Sequence, residues 1–314
     1  MTTTVVGSIA FDTINTPAGR RERMLGGSAT HFALAASFFD RVRVVGCVGD
    51  DFGTDELAVL SLRGIDTADV VRIRGERTFF WEGHYSSDLS SRTTLATELG
   101  VFENFDPQLP EVTAEDVLFL GNIQPSLQLR VIEQVSNARF IALDSMNLWI
   151  EQARNDLIAA IGQVDCVILS DEEIRQLTCR PTVIGSASDV LELGPSVVIV
   201  KHGAYGASFY TRNDVFALPA YPLRRPVDPT GAGDTFAGGV LGHIGAHSSA
   251  SLSAELVRSA MVTGTALASF NVEDFGTERV ARLQHTEIAE RVEELIQMAR
   301  LDGVALPPPI ANSA

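Results

Sequence analysis

The feature that most constrains this chain is a repeated alternation of short apolar runs with longer helical patterns. The runs are rich in Val and Ile and cover Thr4–Ala10, Val42–Val48, Val117–Leu120, Phe140–Asp144, Cys166–Ser170 and Val197–Lys201. Helical periods fill Ser28–Phe39, Thr54–Arg63, Ser126–Val135, Ile150–Ile161 and Ser188–Leu193, and again Gly233–Gly245, Ser251–Phe270 and Glu287–Leu301. Strands that are apolar throughout, with helices between them, imply a mostly parallel sheet covered on both faces. The expected fold is therefore α/β: a doubly wound sheet flanked by helices, whose ligands sit outside the carboxyl ends of the strands.

One stretch breaks the alternation. Between Val71 and Thr97 the segment RTFFWEGHYSSDLSSRTT has no helical period and reads as two extended strands around a polar turn. Phe80, Trp81 and Tyr85 stand there among charged residues, unlike the side chains of a core strand. A small sheet standing off the main body, acting as a lid, and a plain edge hairpin fit this pattern equally well. With 314 residues the chain has room for one large α/β domain or two modest ones; no linker suggests a second, so one is expected over 1–305, and the Pro-rich ALPPPIANSA reads as a frayed tail from about 306.

Charge narrows the partners. The net charge is −16, with no basic cluster, which disfavours nucleic acid and anionic membrane surfaces, because both require Lys and Arg to meet phosphates. No apolar run approaches a membrane span, and the N-terminus enters a strand pattern at once without a signal-like apolar region. Cys47, Cys166 and Cys179 form no CxxC pair, and the first and second lie in strand-like runs as core thiols. This usage points to a reducing, cytoplasmic setting.

The most informative segment is PVDPTGAGDTFAGGVLG, residues 226–242. Asp228 and Pro229 close an extended run, glycines free the backbone to turn, and a helix follows at once. The N–H groups of Gly231, Ala232, Gly233 and Asp234 would then point into the space before that helix, an anion hole reinforced by the helix dipole. Charge developing on a transferred phosphoryl group suits such a hole. Asp234, in the first turn, could accept the proton of an attacking hydroxyl; an acid there is also common simply because the dipole favours it. Walker A, G-x-G-x-x-G and Gly-x-Ser-x-Gly patterns are missing, which weakens P-loop, dinucleotide and serine-hydrolase readings. His243 and His247 have i, i+4 spacing but no zincin Glu, and two glycines interrupt their helix.

DPTGAGDTFAGG strongly resembles the C-terminal signature of the PfkB, or ribokinase-like, carbohydrate and nucleoside kinases, and LGGSATHFALAAS at 25–37 resembles their N-terminal one. The likeness runs from VVGSIAFD to about Gly276. It implies the doubly wound sheet with a small β-lid, here from about 10–25 and 71–100. It implies ATP and Mg²⁺, Asp234 as general base, and the 231–234 amides as anion hole. Asp12 matches the acid that binds substrate hydroxyls, and Gly26 and Gly27 match the pair whose backbone lies against substrate. SDEE at 170–173 resembles the N-x-x-E motif that helps place Mg²⁺ through water and phosphates: Glu173 matches, whereas Ser170 stands where Asn is usual.

VIVKHGAYGA resembles the strand and turn that approach the nucleotide, so Lys201, Gly203 and Gly206 join the expected ATP contacts with Thr230. ASFNVEDFG, with Asn271, should border the nucleotide and a monovalent cation such as K⁺ near Asp228. Independently of the resemblance, Lys201 is the only lysine in the chain; a compact ammonium beside a Gly-rich turn suits phosphate. His31 falls where ribose-binding relatives carry Asn, or simply caps its helix. Asn122 and Gln124 follow a strand at the sheet's carboxyl edge, and Tyr85, Asp88 and Arg92 are candidates for closing over the substrate. The expected acceptor is a primary hydroxyl of a sugar or polyol, with a nucleoside as runner-up because Phe80, Trp81 and Tyr85 could stack on a base. A non-catalytic ligand sensor on the same fold is the reading from another class, and a homodimer through the lids follows by analogy.

Overall fold

The computed structural model describes residues 1–135, 137–247 and 252–300. Its strands, in chain order, are β1 (Thr3–Val6), β2 (Ala10–Thr16), β3 (Gly19–Gly26), β4 (Val42–Val48), β5 (Val70–Arg72), β6 (Phe79–Tyr85), β7 (Arg92–Glu98), β8 (Val117–Leu120), β9 (Phe140–Asp144), β10 (Cys166–Ser170), β11 (Val197–Lys201), β12 (Ala207–Tyr210) and β13 (Val215–Leu218). The helices are α1 (Ser28–Ala36), α2 (Thr54–Ser61), α3 (Pro125–Gln134), α4 (Asn147–Gln152), α5 (Arg154–Ile161), α6 (Asp171–Thr178), α7 (Val183–Leu193), α8 (Ala232–Ala246), α9 (Ala254–Asn271), α10 (Glu278–Ala281) and α11 (His285–Met298).

Nine strands form one sheet in the order β13-β12-β11-β10-β9-β8-β1-β4-β5. It is parallel from β11 through β5, with β12 and β13 added antiparallel at one edge. Neighbouring residues along a strand feed opposite faces. Val5, Val44, Phe119 and Ile168 pack with α1, α8 and α9, whereas Val6, Val45, Leu118 and Val167 pack with α3, α5, α6 and α7. Phe32 of α1 stacks on Phe119 with ring centroids 4.4 Å apart, both fully buried. Truncating either ring to Ala would destabilise the fold by about 3–5 kcal/mol. Among the described residues no helix is long and apolar enough to cross a membrane.

Four strands form the second sheet, in the order β3-β2-β6-β7. The two strands read around the SSDLSS turn are β6 and β7. The expected strand Thr4–Ala10 is divided between the sheets: β1 stops at Val6, and β2 starts the small sheet at Ala10. The break falls where Gly7 passes α1 so closely that a Cβ there would lie 2.7 Å from Ser28 Oγ. Ser8 and Ser28 pin the crossing, each backbone N–H donating to the other's hydroxyl. Asp12 therefore stands inside the small sheet and not at the end of the first strand. Residues 70–72, in contrast, pair with β4 in the large sheet.

Helical expectations shift at their ends. The run over Ile150–Ile161 is broken at Ala153 (φ −136°), giving α4 and α5. Helix α6 was not anticipated. The ends of the last two expected helices, at Ser251 and Leu301, and the Pro-rich tail lie outside the described residues.

Candidate active site

Helix α8 sets the geometry. Gly231 precedes it in the left-handed region (φ 73°), and a Cβ there would lie 2.3 Å from His31 Cε1, so the turn rests flat on the imidazole. Of the four amides in this turn, that of Ala232 donates to Pro229 O (3.1 Å). The N–H of Asp234 turns toward its own carboxylate. Among the described residues, the N–H groups of Gly231 and Gly233 meet no acceptor. The expected four-amide hole thus narrows to two free donors at a helix N-terminus, with Ala232 used to close the turn.

Asp234 is half-buried beside those donors. Burial pushes its pKa up to about 6, Lys201 and Arg92 pull it back, and Glu173 adds to the rise. A carboxyl poised near neutrality, ionised at pH 7 yet basic enough to accept a proton, fits general-base work.

The carboxyl ends of three parallel strands supply one flank. Lys201, the last residue of β11, donates from Nζ to Asp144 Oδ2 at 2.6 Å, and Asp144 is the buried last residue of β9. Burial alone would lower the ammonium's pKa; Asp144, Glu173 and Asp234 more than offset that and hold it raised, so the lysine stays charged. Burial drives Asp144 upward, with Lys201 drawing it back. Ser170 and Glu173 form a capping box at the start of α6: Ser170 N–H donates to Glu173 Oε2 (2.7 Å), and Glu173 N–H donates to Ser170 Oγ (3.2 Å). Ser170 therefore serves as a helix cap, which Ser does as well as Asn. Gly203 stands in open space, while Gly206 (φ 115°) lies so close to β13 that a Cβ would be 2.0 Å from Leu218 O.

The small sheet supplies the opposite flank. Asp12 is buried on β2, and a Cβ on Gly26 would lie 2.0 Å from its Oδ2. Burial first, then Asp228 and Asp234, push Asp12 up to about 7, against the Gly27 N–H and Arg92. Gly27 (φ 94°) passes Ser8 O at a distance no side chain tolerates. Tyr85, buried at the end of β6, bonds through its hydroxyl to Thr230 Oγ1 (3.0 Å). Arg92 is exposed on β7, near the Trp81 ring, and its charge acts on both Asp12 and Asp234.

Two expected contacts sit one layer behind the surface. His31 is buried in α1 with Nδ1 3.1 Å from Asn271 Oδ1, which also accepts the Thr235 hydroxyl, while Asn271 Nδ2 donates to Thr230 O (2.7 Å). That network assigns the ring proton to Nδ1, and burial holds the imidazole neutral, with its pKa near 4. His31 and Asn271 buttress the 229–231 turn. Asp228 is fully buried and accepts from Thr230 N (2.9 Å) and Gly276 N (3.0 Å), tying the motif to the 272–276 segment.

The remaining candidates make contacts of their own. Asn122 Oδ1 accepts from Trp149 Nε1 (3.0 Å). Gln124 lines a cavity of about 290 Å³ with Phe102, Phe105 and Arg130. Asp88 stays in its own exposed turn, accepting from Ser86 and Ser90. His243 and His247 stack, and among the described residues no group of three or more His, Cys, Asp or Glu is arranged for a metal. Sequence reasoning missed Asp144; its signal was a carboxylate ending an apolar run at the sheet's carboxyl edge.

An open α/β sheet with a carboxylate beside free amides at a helix start is the architecture of a small-molecule phosphotransferase. The family model described as "pfkB family carbohydrate kinase" matches residues 3–282, and the chain belongs to that family and is an ATP-dependent kinase. It is 29% identical to a cytidine kinase of Thermococcus kodakarensis over 76% of this chain and 86% of that one. It is 28% identical to a nucleoside kinase of Methanothermobacter thermautotrophicus over 87% and 90% of the two chains. A fructokinase variant from Vibrio cholerae, solved with fructose, ADP and potassium ion, shares the fold with a TM-score of 0.76 and 21% identity, over 91% and 97% of the chains.

Proposed function

We propose that this kinase transfers the γ-phosphoryl group of ATP to a primary hydroxyl of a sugar or sugar-like polyol, with Asp234 as general base. The observation that carries the reading is the convergence at the start of α8. Asp234 and two unengaged amides stand between a Lys201–Asp144–Glu173 cluster on one flank and Asp12 with Arg92 on the other. Asp12 and the Gly26–Gly27 turn orient the acceptor, and the small sheet closes as a lid that excludes water. Asp234 takes the hydroxyl proton as that oxygen attacks phosphorus in line. The Gly231 and Gly233 amides and Lys201 stabilise the charge spreading over the transferred group.

Glu173, the acid near Lys201, would position Mg²⁺ carried by the phosphates and water. Mg²⁺ there supplies neutralisation of phosphate charge. Asp228 is our candidate for ordering a monovalent-cation site at the 272–276 segment. A dimer through the outer edge of β7 is part of the same proposal, checked by light scattering in solution.

A nucleoside acceptor is the second reading, favoured by the cytidine and nucleoside kinases that align over most of this chain. Base stacking on the small-sheet aromatics has weaker support. Tyr85 is bonded to Thr230, and Trp81 lies across Gly83 with Nε1 donating to Thr94 Oγ1 (3.2 Å). The test is ADP release from Mg-ATP across sugars, polyols and nucleosides, with Asp234→Asn in parallel. One stimulating compound whose effect falls about 10²- to 10⁴-fold in the mutant supports the base role. A compound that stimulates both proteins equally removes Asp234 as the base.

A further inference from the structure

We propose that Asp144 is a positioning residue for phosphoryl transfer, holding the ammonium of Lys201 against the Gly231–Asp234 turn. The proposal rests on the kinase reading above and adds to it a residue outside the motifs.

A lysine side chain has four rotatable bonds and a point charge, so left alone it samples many positions. Here it has one. Nζ donates to Asp144 Oδ2 at 2.6 Å, with the Asp144 side chain only 5% exposed and that of Lys201 19%. The lysine stem runs along Gly233: a Cβ added there would lie 3.2 Å from Nζ and 3.6 and 3.7 Å from Cδ and Cε. The absence of a side chain at Gly233 is thus what lets the ammonium reach the turn.

Asp144 is itself locked. Its Oδ1 accepts Ser145 N–H (2.7 Å), and its carbonyl accepts Gln128 Nε2 (2.9 Å), which also donates to Gly121 O (2.9 Å) at the end of β8. Gln128 is fully buried, so the ends of β8 and β9 are stitched together behind the carboxylate. The chain of contacts runs from Gln128 through Asp144 to Lys201 and ends against the residue before Asp234.

The only lysine of the chain therefore stands beside two free amides with no reorganisation left to make when negative charge arrives, the condition under which an electrostatic contact accelerates a reaction. Glu173 and Asp234 also attract this ammonium, so without Asp144 it has two other carboxylates to swing toward.

The test is a double-mutant cycle on Asp144→Asn and Lys201→Met. It is read by kcat/KM for ATP and, without turnover, by calorimetric affinity for a non-hydrolysable ATP analogue with Mg²⁺. Asp144→Asn should lower both by about 10- to 100-fold in wild type, as for a buried charge pair losing one partner. In the Lys201→Met background the same change should have less than about a twofold effect, because the two residues act as one unit. Asp144→Glu, which keeps the charge, should recover part of the loss. Should Asp144→Asn fail to fold by circular dichroism, Asp144→Glu carries the same cycle. An equal loss in both backgrounds overturns the proposal, since Asp144 would then act without Lys201; no loss in wild type overturns it too. Analogue binding needs no base, so the cycle is readable even if Asp234→Asn proves fully active.

Discussion

The two flanks of the site are built differently. Asp144, Lys201 and Glu173 stand where parallel strands end or a helix begins, in a sheet packed on both faces. Asp12, Tyr85 and Arg92 stand on a four-stranded sheet whose β7 is almost wholly exposed. Its apolar attachment to the body runs through Phe11, with Leu25 and Phe80 against the main core, and through a small cluster of Ile14, Tyr85 and Phe275, while β7 beyond them buries almost nothing. Few buried contacts give β7, the outer strand, a low free energy of local opening. On the proposed mechanism the difference is a division of labour: the phosphate side is preset by the core, and the acceptor side opens to admit substrate and closes on it.

The sharpest way to break that comparison is Asp12→Asn. If Asp12 is a ligand held on a movable sheet, the change should lower kcat/KM for the acceptor about 10- to 100-fold, the loss of a hydrogen bond to a charged group. Stability should move the other way. Asp12 has its pKa raised to about 7 by burial and the nearby acids, so its favourable contribution is full below 3.8 and is lost as pH rises through about 7. Asparagine removes that penalty. The mutant should melt above wild type by a margin that grows from pH 5.5 to pH 8, by calorimetry. A mutant that melts lower at both pH values would make Asp12 a structural residue.

The next effect is the pH dependence of turnover. Asp234 must be ionised to take a proton, and its pKa stands near 6. Activity in kcat/KM should fall about tenfold per pH unit below that value. Lys201→Met removes a charge that pulls Asp234 down, so the acidic limb should move to higher pH in that variant. A limb that stays in place would uncouple the phosphate flank from the base.

Much of this was legible in the sequence, for physical reasons. Parallel strands buried on both faces must be continuously apolar, so their runs announced the large sheet. The glycines of the 226–242 segment announced a turn before a helix, and the turn is there. The small sheet's β3 was harder: GRRERMLG exposes most of its side chains and carries no apolar period. Helix α6 was hidden because SDEE was weighed as a phosphate motif, although S-x-x-E is equally the signature of a capping box. The buried setting of His31 and Asn271 was hidden for a related reason. Sequence shows that a polar residue neighbours a motif, but not whether it points outward or braces from behind. Asp144 acquires meaning only when β9 and β11 are brought two strands apart and its carboxylate meets the one lysine.

The smallest effect addresses closure itself. Thr230 is held on three sides: its N–H donates to Asp228, its carbonyl accepts from Asn271, and its hydroxyl meets Tyr85. The motif turn is thus held within the body, and Tyr85, on β6, brings the small sheet to it. Tyr85→Phe keeps the ring packed against Ile14 and Phe275 and deletes the hydroxyl's bonds to Thr230 and to the Arg92 side chain, a loss of about 0.5–1.5 kcal/mol each. If the bond is a latch, the closed state becomes less populated. KM for the acceptor should then rise about 2- to 10-fold at nearly constant kcat. ATP hydrolysis without acceptor should rise as well, because an open sheet admits water. If instead kcat falls at constant KM, the hydroxyl acts on the transition state, and the small sheet belongs with the preset flank.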